Sequence, residues 1–197
     1  FPPLPRGRYA HTGVTLLDQF ICVTGGLADG TDTAGDKINV LLTDSLCLNI
    51  NLPSTGWQTV AGLNVPRFNA SSAIGRDGSW IVYGGVGLGS SGLYSVPEIE
   101  VYDFDLGQWV VLDDRFDIVD PARTWANGGI VDGDLWLIGG EANVANNGFG
   151  GFVTNFVERI ADIPQLNPPN GNDIFLPFAA RDRVFRRSLQ SQAIPMG

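Results

Sequence analysis

The chain has 197 residues, 44% of them hydrophobic and 17% charged, the balance of a folded protein rather than a disordered one. Twelve basic residues face 21 acidic ones for a net charge of −9, a surface that repels a phosphate backbone and argues against general nucleic-acid binding. His11 is the only histidine, which rules out nearly every multi-histidine metal site and leaves any Ser-His-Asp hydrolase dependent on a single residue.

Twenty-six glycines and 12 prolines interrupt short apolar runs with no Gly-X-Y period, so many turns and many short strands are expected. No run of 18 apolar residues is present to span a membrane, and no secretory leader is visible. The opening Phe1-Pro2-Pro3-Leu4-Pro5, without an initiator methionine, reads as a processed or excised piece of something longer; simple trimming would look the same.

Taken in order, the elements repeat. Residues 1–61 begin with Arg8, pass through a small-residue strand and the turn Leu17-Asp18-Gln19, and reach Phe20-Ile21-Cys22-Val23-Thr24-Gly25-Gly26. Residues 62–118 carry Arg67, the turn Arg76-Asp77-Gly78-Ser79 and Trp80-Ile81-Val82-Tyr83-Gly84-Gly85. Residues 119–168 carry Arg123, the turn Asp132-Gly133-Asp134 and Leu135-Trp136-Leu137-Ile138-Gly139-Gly140. The distances from arginine to first glycine are 17, 17 and 16 residues. Asp-Gly between apolar alternations is a strong hairpin signal, so each copy is expected to open as a hairpin whose second strand ends in Gly-Gly.

A third strand and a tryptophan follow. The second copy gives Ile99-Glu100-Val101-Tyr102-Asp103 and then Trp109; the first gives Ser45-Leu46-Cys47-Leu48-Asn49 and then Trp57. The third copy offers residues 155–162 as a third strand but no following tryptophan, which leaves its fourth strand open. Residues 169–197 form a tail or the start of a fourth repeat around Pro177-Phe178-Ala179-Ala180-Arg181.

The cysteines and one triplet speak to compartment. If Gly25 pairs with Asp44, partner numbers sum to 69 and Cys22 falls directly opposite Cys47. A disulfide and a pair of reduced core thiols both fit that placement. Asn69-Ala70-Ser71 is an acceptor triplet for N-glycosylation in a secreted chain. With the acidity and the single lysine, Lys37, these features favour an extracellular or secreted setting over a cytoplasmic one.

The order arginine, Gly-Gly, Tyr-Asp and tryptophan resembles the kelch repeat, with its clearest match at Arg67, Gly84, Gly85, Tyr102, Asp103 and Trp109. The first copy matches with Asn49 or Asn51 in place of the aspartate, and the resemblance covers roughly residues 3–163. It implies an all-β chain in which each copy is a four-stranded antiparallel blade of a β-propeller. Gly25, Gly26, Gly139 and Gly140, like the second copy's diglycine, then mark where a neighbouring blade comes close, and each tryptophan is buried with its N–H on a carbonyl. His11 falls where kelch blades often hold a polar core residue. A propeller takes typically four to eight blades, so three copies imply an incomplete ring. The chain is then a portion of a larger propeller, or closes by association with other chains, or stands in an open assembly.

The resemblance also bears on function. The galactose-oxidase class of kelch enzymes needs two histidines for copper, so that chemistry is not expected, and no cofactor is called for. The kelch arginine often lines the central mouth, which makes Arg8, Arg67 and Arg123 candidates for an acidic peptide ligand; the competing reading has each arginine holding backbone carbonyls or an acid within the fold. Asp29, Asp32 and Asp36, in the stretch after the first diglycine, are a weak calcium candidate that fits no defined calcium loop. The expected role is a non-enzymatic protein- or glycan-binding scaffold whose partners are other protein chains. The alternative is a structural subunit of an extracellular assembly joined through open blade edges.

Overall fold

Short β-branched and aromatic runs between glycine- and aspartate-rich turns leave the backbone little choice but paired strands. A computed structural model describes residues 1–118, 122–142, 151–164 and 166, and its regular structure is almost wholly antiparallel sheet. The strands, in chain order, are β1 (Thr12–Leu16), β2 (Phe20–Thr24), β3 (Leu27–Thr31), β4 (Lys37–Leu41), β5 (Ser45–Asn49) and β6 (Trp57–Val60) in the first copy. The second copy supplies β7 (Ser71–Ile74), β8 (Trp80–Tyr83), β9 (Val86–Gly89), β10 (Gly92–Ser95), β11 (Glu100–Asp103) and β12 (Gln108–Val111). The third supplies β13 (Arg123–Thr124), β14 (Asn127–Val131), β15 (Asp134–Ile138), β16 (Glu141–Ala142), β17 (Phe152–Val153) and β18 (Val157–Ile160).

Each copy builds a main sheet and a smaller cap. The main sheets run β1-β2-β5-β6, β7-β8-β11-β12 and β14-β15-β18, the last with three strands among the described residues. The expected tail beyond residue 168 lies outside the described residues. The opening hairpins turn where aspartate and glycine stand, with left-handed backbone at Leu17, Asp18, Gly78, Asp132 and Gly133.

Each diglycine leads into a small cap. β3 pairs with β4, β9 with β10, and β16 with both β13 and β17. Tyr9 bridges to Leu27 and Phe68 to Val86, so the residue after each of the first two arginines joins its cap. The diglycines are the hinges between main sheet and cap. Gly25 and Gly26 have φ of 65° and 90°, and a Cβ on Gly26 would stand 2.6 Å from the Tyr9 carbonyl oxygen. Only glycine fits such a bend at such a distance.

The core lies between sheets. Strand β8 is buried along its whole length, and its alternate residues face opposite neighbours. Trp80 and Val82 pack with Leu16, Phe20, Cys22 and Cys47 of the first copy and with Leu63, just beyond it. Ile81 and Tyr83 pack with Ala126, Leu135, Leu137 and Ile160 of the third. The first strands β1, β7 and β14 lie beside one another, and Thr12 and Ser72 share a hydroxyl hydrogen bond of 2.7 Å there. Small residues such as Gly13, Ser71 and Gly128 allow that approach.

β2 pairs with β5 in the register expected from Gly25 and Asp44, with Cys22 opposite Cys47. Their Cα atoms are 4.1 Å apart and the sulfurs are bonded, which decides between disulfide and free thiols. Trp109 is buried, and its indole N–H donates to the Ala61 carbonyl at 3.0 Å and the Ser45 hydroxyl at 3.1 Å. Trp57 repeats the bond, to the Pro2 carbonyl at 3.1 Å. Tyr102 packs edge-on against Trp109. Asp103 accepts from the N–H groups of Asp105 and Leu106, and Asn49 does the same for Asn51 and Leu52, so Asn49 is the residue standing in for the aspartate.

Candidate functional site

The three arginines occupy one layer, at the hinge between main sheets and caps. Arg8 donates to the Asp44 carboxylate at 2.6 Å and to the Gly25 carbonyl. Arg67 donates to Glu100 at 2.9 Å, to the Gly84 carbonyl at 3.2 Å and to the Glu98 carbonyl at 2.7 Å. Arg123 pairs with Glu158 and reaches the Phe156 carbonyl at 3.1 Å and the Gly139 carbonyl at 3.4 Å. Each guanidinium therefore ties the first glycine of its own diglycine to an acid and a carbonyl near the third main-sheet strand. All three side chains have no exposed surface. Burial works against the charge on Arg67, and the adjacent carboxylate of Glu100 works for it. The layer is spent within the fold and presents no guanidinium to a ligand. Of the two readings of Arg8, Arg67 and Arg123, these bonds are those of the one in which each arginine holds backbone carbonyls and an acid within the fold.

Neighbouring copies are stitched in the same layer. The Gly26 N–H donates to the Arg67 carbonyl at 2.9 Å, and the Gly85 N–H to the Arg123 carbonyl at 3.1 Å. Two residues beyond each arginine, Ala10, Asn69 and Trp125 all adopt left-handed backbone, with φ of 55°, 52° and 53°. The Asn69 N–H donates to the Ala10 carbonyl at 2.8 Å, and the Trp125 N–H to the Asn69 carbonyl at 3.1 Å. Asparagine accepts this conformation readily, whereas alanine and tryptophan are strained in it.

Above that strained row the caps leave a cleft of about 550 Å³. Its lining combines Tyr9, Leu27, Asn39 and Leu41 of the first copy with Phe68, Asn69, Leu88 and Leu93 of the second and Trp125 of the third. Trp125 is 51% exposed, Tyr9 49% and Leu88 65%. Among the described residues no charged side chain lines the cleft, and its polar side-chain groups are two asparagine amides, the Tyr9 hydroxyl and the Trp125 indole N–H. Such a volume, largely apolar with a few placed amides, suits a ligand of drug size, the scale of a few residues of peptide or one or two sugar rings.

The other candidates fall elsewhere. Asp29 sits on β3 opposite Asn39, and Asp32 and Asp36 close the tip of the β3–β4 hairpin. Asp32 accepts from the N–H groups of Ala34 and Asp36, which is the work of a turn. Among the described residues no group of three His, Cys, Asp or Glu side chains is arranged to hold a metal ion. His11 lies at the surface beside the layer, and partial burial together with the nearby Arg8 charge lowers its pKa from the usual 6.5. The aromatic residues of the cleft were missed in the sequence, although Arg8-Tyr9 and Arg67-Phe68 carry a legible signal: an aromatic directly after a buried arginine.

No protein-family model matches the chain, and no curated protein matches it. Among solved structures, one described as "Structure of YjhT" superposes with a TM-score of 0.53 at 16% identity, over 69% of this chain and 46% of that chain. The chain thus spans less than half the length of that neighbour, and the likeness is one of fold.

Proposed function

We propose that the chain is a non-enzymatic binding or scaffold module built from kelch-type propeller blades, which receives an uncharged segment of a partner protein or glycan in the cleft between its caps. The observation that carries this reading is the cleft itself: exposed aromatic and leucine side chains from three copies converge on one concave, charge-free surface. Large apolar groups left this exposed on a folded chain mark an interaction surface. The blade assignment is supported by three in-phase copies of one hydrogen-bond pattern, in which arginine, diglycine and acid recur at matched positions. The disulfide and the absence of a helix long and apolar enough to cross a membrane, among the described residues, accord with an extracellular role. The test is a panel of immobilised peptides and glycans probed with the unglycosylated wild-type chain and with unglycosylated Leu88→Asp. A charge in the cleft abolishes retention of cleft ligands; equal retention by both chains refutes the reading.

A second reading rests on a separate observation. Val131, Ile138, Phe156 and Val157 of the third copy are each at least half exposed. The stitching that runs from Ala10 to Asn69 to Trp125 can continue to a further copy at either side. A structural subunit that associates through such faces would show concentration-dependent mass in light scattering, and Val131→Asp with Val157→Asp would abolish it.

A further inference from the structure

One residue of the cleft wall can be chemically extended. Asn69 heads the acceptor triplet Asn69-Ala70-Ser71, and its backbone is fully engaged. Its N–H donates to Ala10, and its carbonyl accepts from the Trp125 N–H and, at 3.0 Å, from the Thr124 hydroxyl. Its side-chain amide makes no hydrogen bond to any described residue, is half-buried and lines the cleft. The backbone therefore fixes where the amide sits, while its nitrogen stays uncommitted. Aromatic rings surround it: Phe68 is the preceding residue, and Tyr9 and Trp125 stand on the two neighbouring copies.

We propose that Asn69 carries an N-linked glycan whose first sugars lie in the cleft, so that the modified chain is closed to the cleft's ligand. The proposal rests on the cleft being the binding site. In the transfer, the Asn69 Nδ2 attacks C1 of the reducing-end sugar of a polyprenyl-diphosphate-linked oligosaccharide. An N–C bond forms, the C1–O bond to the diphosphate breaks, and the amide proton leaves with the diphosphate group. The acceptor reacts on the unfolded nascent chain, so the left-handed backbone of the folded state is no obstacle. Once the chain folds, the linkage leaves the Asn69 side chain directly into a concavity without charge. Sugar rings present apolar C–H faces that aromatic side chains cover, and they present hydroxyl and amide groups that Asn39 can meet. A cleft of about 550 Å³ accommodates a ligand of drug size, the scale of one or two sugar rings.

The experiment uses the full chain secreted from eukaryotic cells. Intact mass before and after treatment with peptide N-glycosidase is expected to show one glycan, with Asn69 converted to aspartate on release. Asn69→Gly removes the acceptor while keeping a residue suited to φ near +52°, and Ser71→Thr preserves acceptor function. An endoglycosidase that cuts between the first two sugars is expected to release the glycan about tenfold more slowly from the native chain than from the denatured one. Trp125→Ala is expected to remove that difference. A secreted chain with unmodified Asn69, or equal release from native and denatured chains, overturns the proposal. The cleft reading is judged separately with Ser71→Ala, which removes the acceptor triplet, keeps the Asn69 amide and lies outside the cleft lining, on the peptide and glycan panel. A shielded glycan with no panel ligand for Ser71→Ala leaves the glycan in the cleft but removes the binding reading and, with it, the claim that the glycan closes a binding site; an unmodified Asn69 with a cleft ligand overturns the glycan proposal alone.

Discussion

The arginine layer and the cleft above it sit a few residues apart and follow opposite physics. In the layer, charges are buried and paired; Arg67 and Glu100 both have no exposed side-chain surface. In the cleft, no charged side chain stands among the described residues and large apolar groups stay open to water. A buried, paired charge fixes geometry and is costly to disturb. An exposed apolar concavity adds little to stability and is available to a partner. The difference places the repeat's most regular residues within the fold and is the ground for proposing that their less regular neighbours serve recognition.

The largest effect should come from breaking the layer. Arg67→Ala leaves Glu100 buried without its counter-charge, and urea denaturation should show a loss of about 3–5 kcal/mol. Retained stability would mean that the layer is not what joins main sheet to cap. Next comes the disulfide. Reduction, or Cys22→Ala with Cys47→Ala, frees a loop of 25 residues and should lower stability by about 3 kcal/mol in the same assay. In the cleft the ranking reverses. Trp125→Ala should cost less than about 1 kcal/mol of stability, since the ring is half exposed, yet weaken a cleft ligand by about 2 kcal/mol, some 30-fold.

A smaller contrast sharpens the role of the diglycine. Gly84→Ala and Gly133→Ala both place alanine at positive φ, but a Cβ at Gly84 meets the Arg123 carbonyl oxygen at 2.5 Å while one at Gly133 meets nothing within 4 Å. Thermal unfolding should rank Gly84→Ala as the more destabilised by about 1 kcal/mol or more. The smallest effect is electrostatic. The pKa of His11 is lowered in the fold, so its contribution is present above the ordinary 6.5 and declines as pH falls through and below that value. His11→Asn should flatten that slight acid sensitivity between pH 7 and pH 5.

Much of the fold was legible because strand, turn and register signals are local. Asp132-Gly133 turns as expected, and pairing Gly25 with Asp44 is enough to set Cys22 opposite Cys47. The caps were not legible. β3 reads Leu-Ala-Asp-Gly-Thr and β9 reads Val-Gly-Leu-Gly, sequences with the composition of loops, and they become strands because the hinge at each diglycine sets them beside a partner. The arginines were found at their positions, but their role depends on Asp44, Glu100 and Glu158, which lie 33 to 36 residues away in sequence. The cleft was hidden for the same reason: its residues come from three copies and share no local motif.

The most direct measurement is an NMR titration that follows the five tryptophan indole N–H resonances while the tightest ligand from the peptide and glycan panel is added to the unglycosylated chain. Binding between the caps shifts the Trp125 resonance and leaves those of buried Trp80 and Trp109 in place. A saturated ligand that leaves Trp125 unmoved would contradict the assignment of recognition to the cleft.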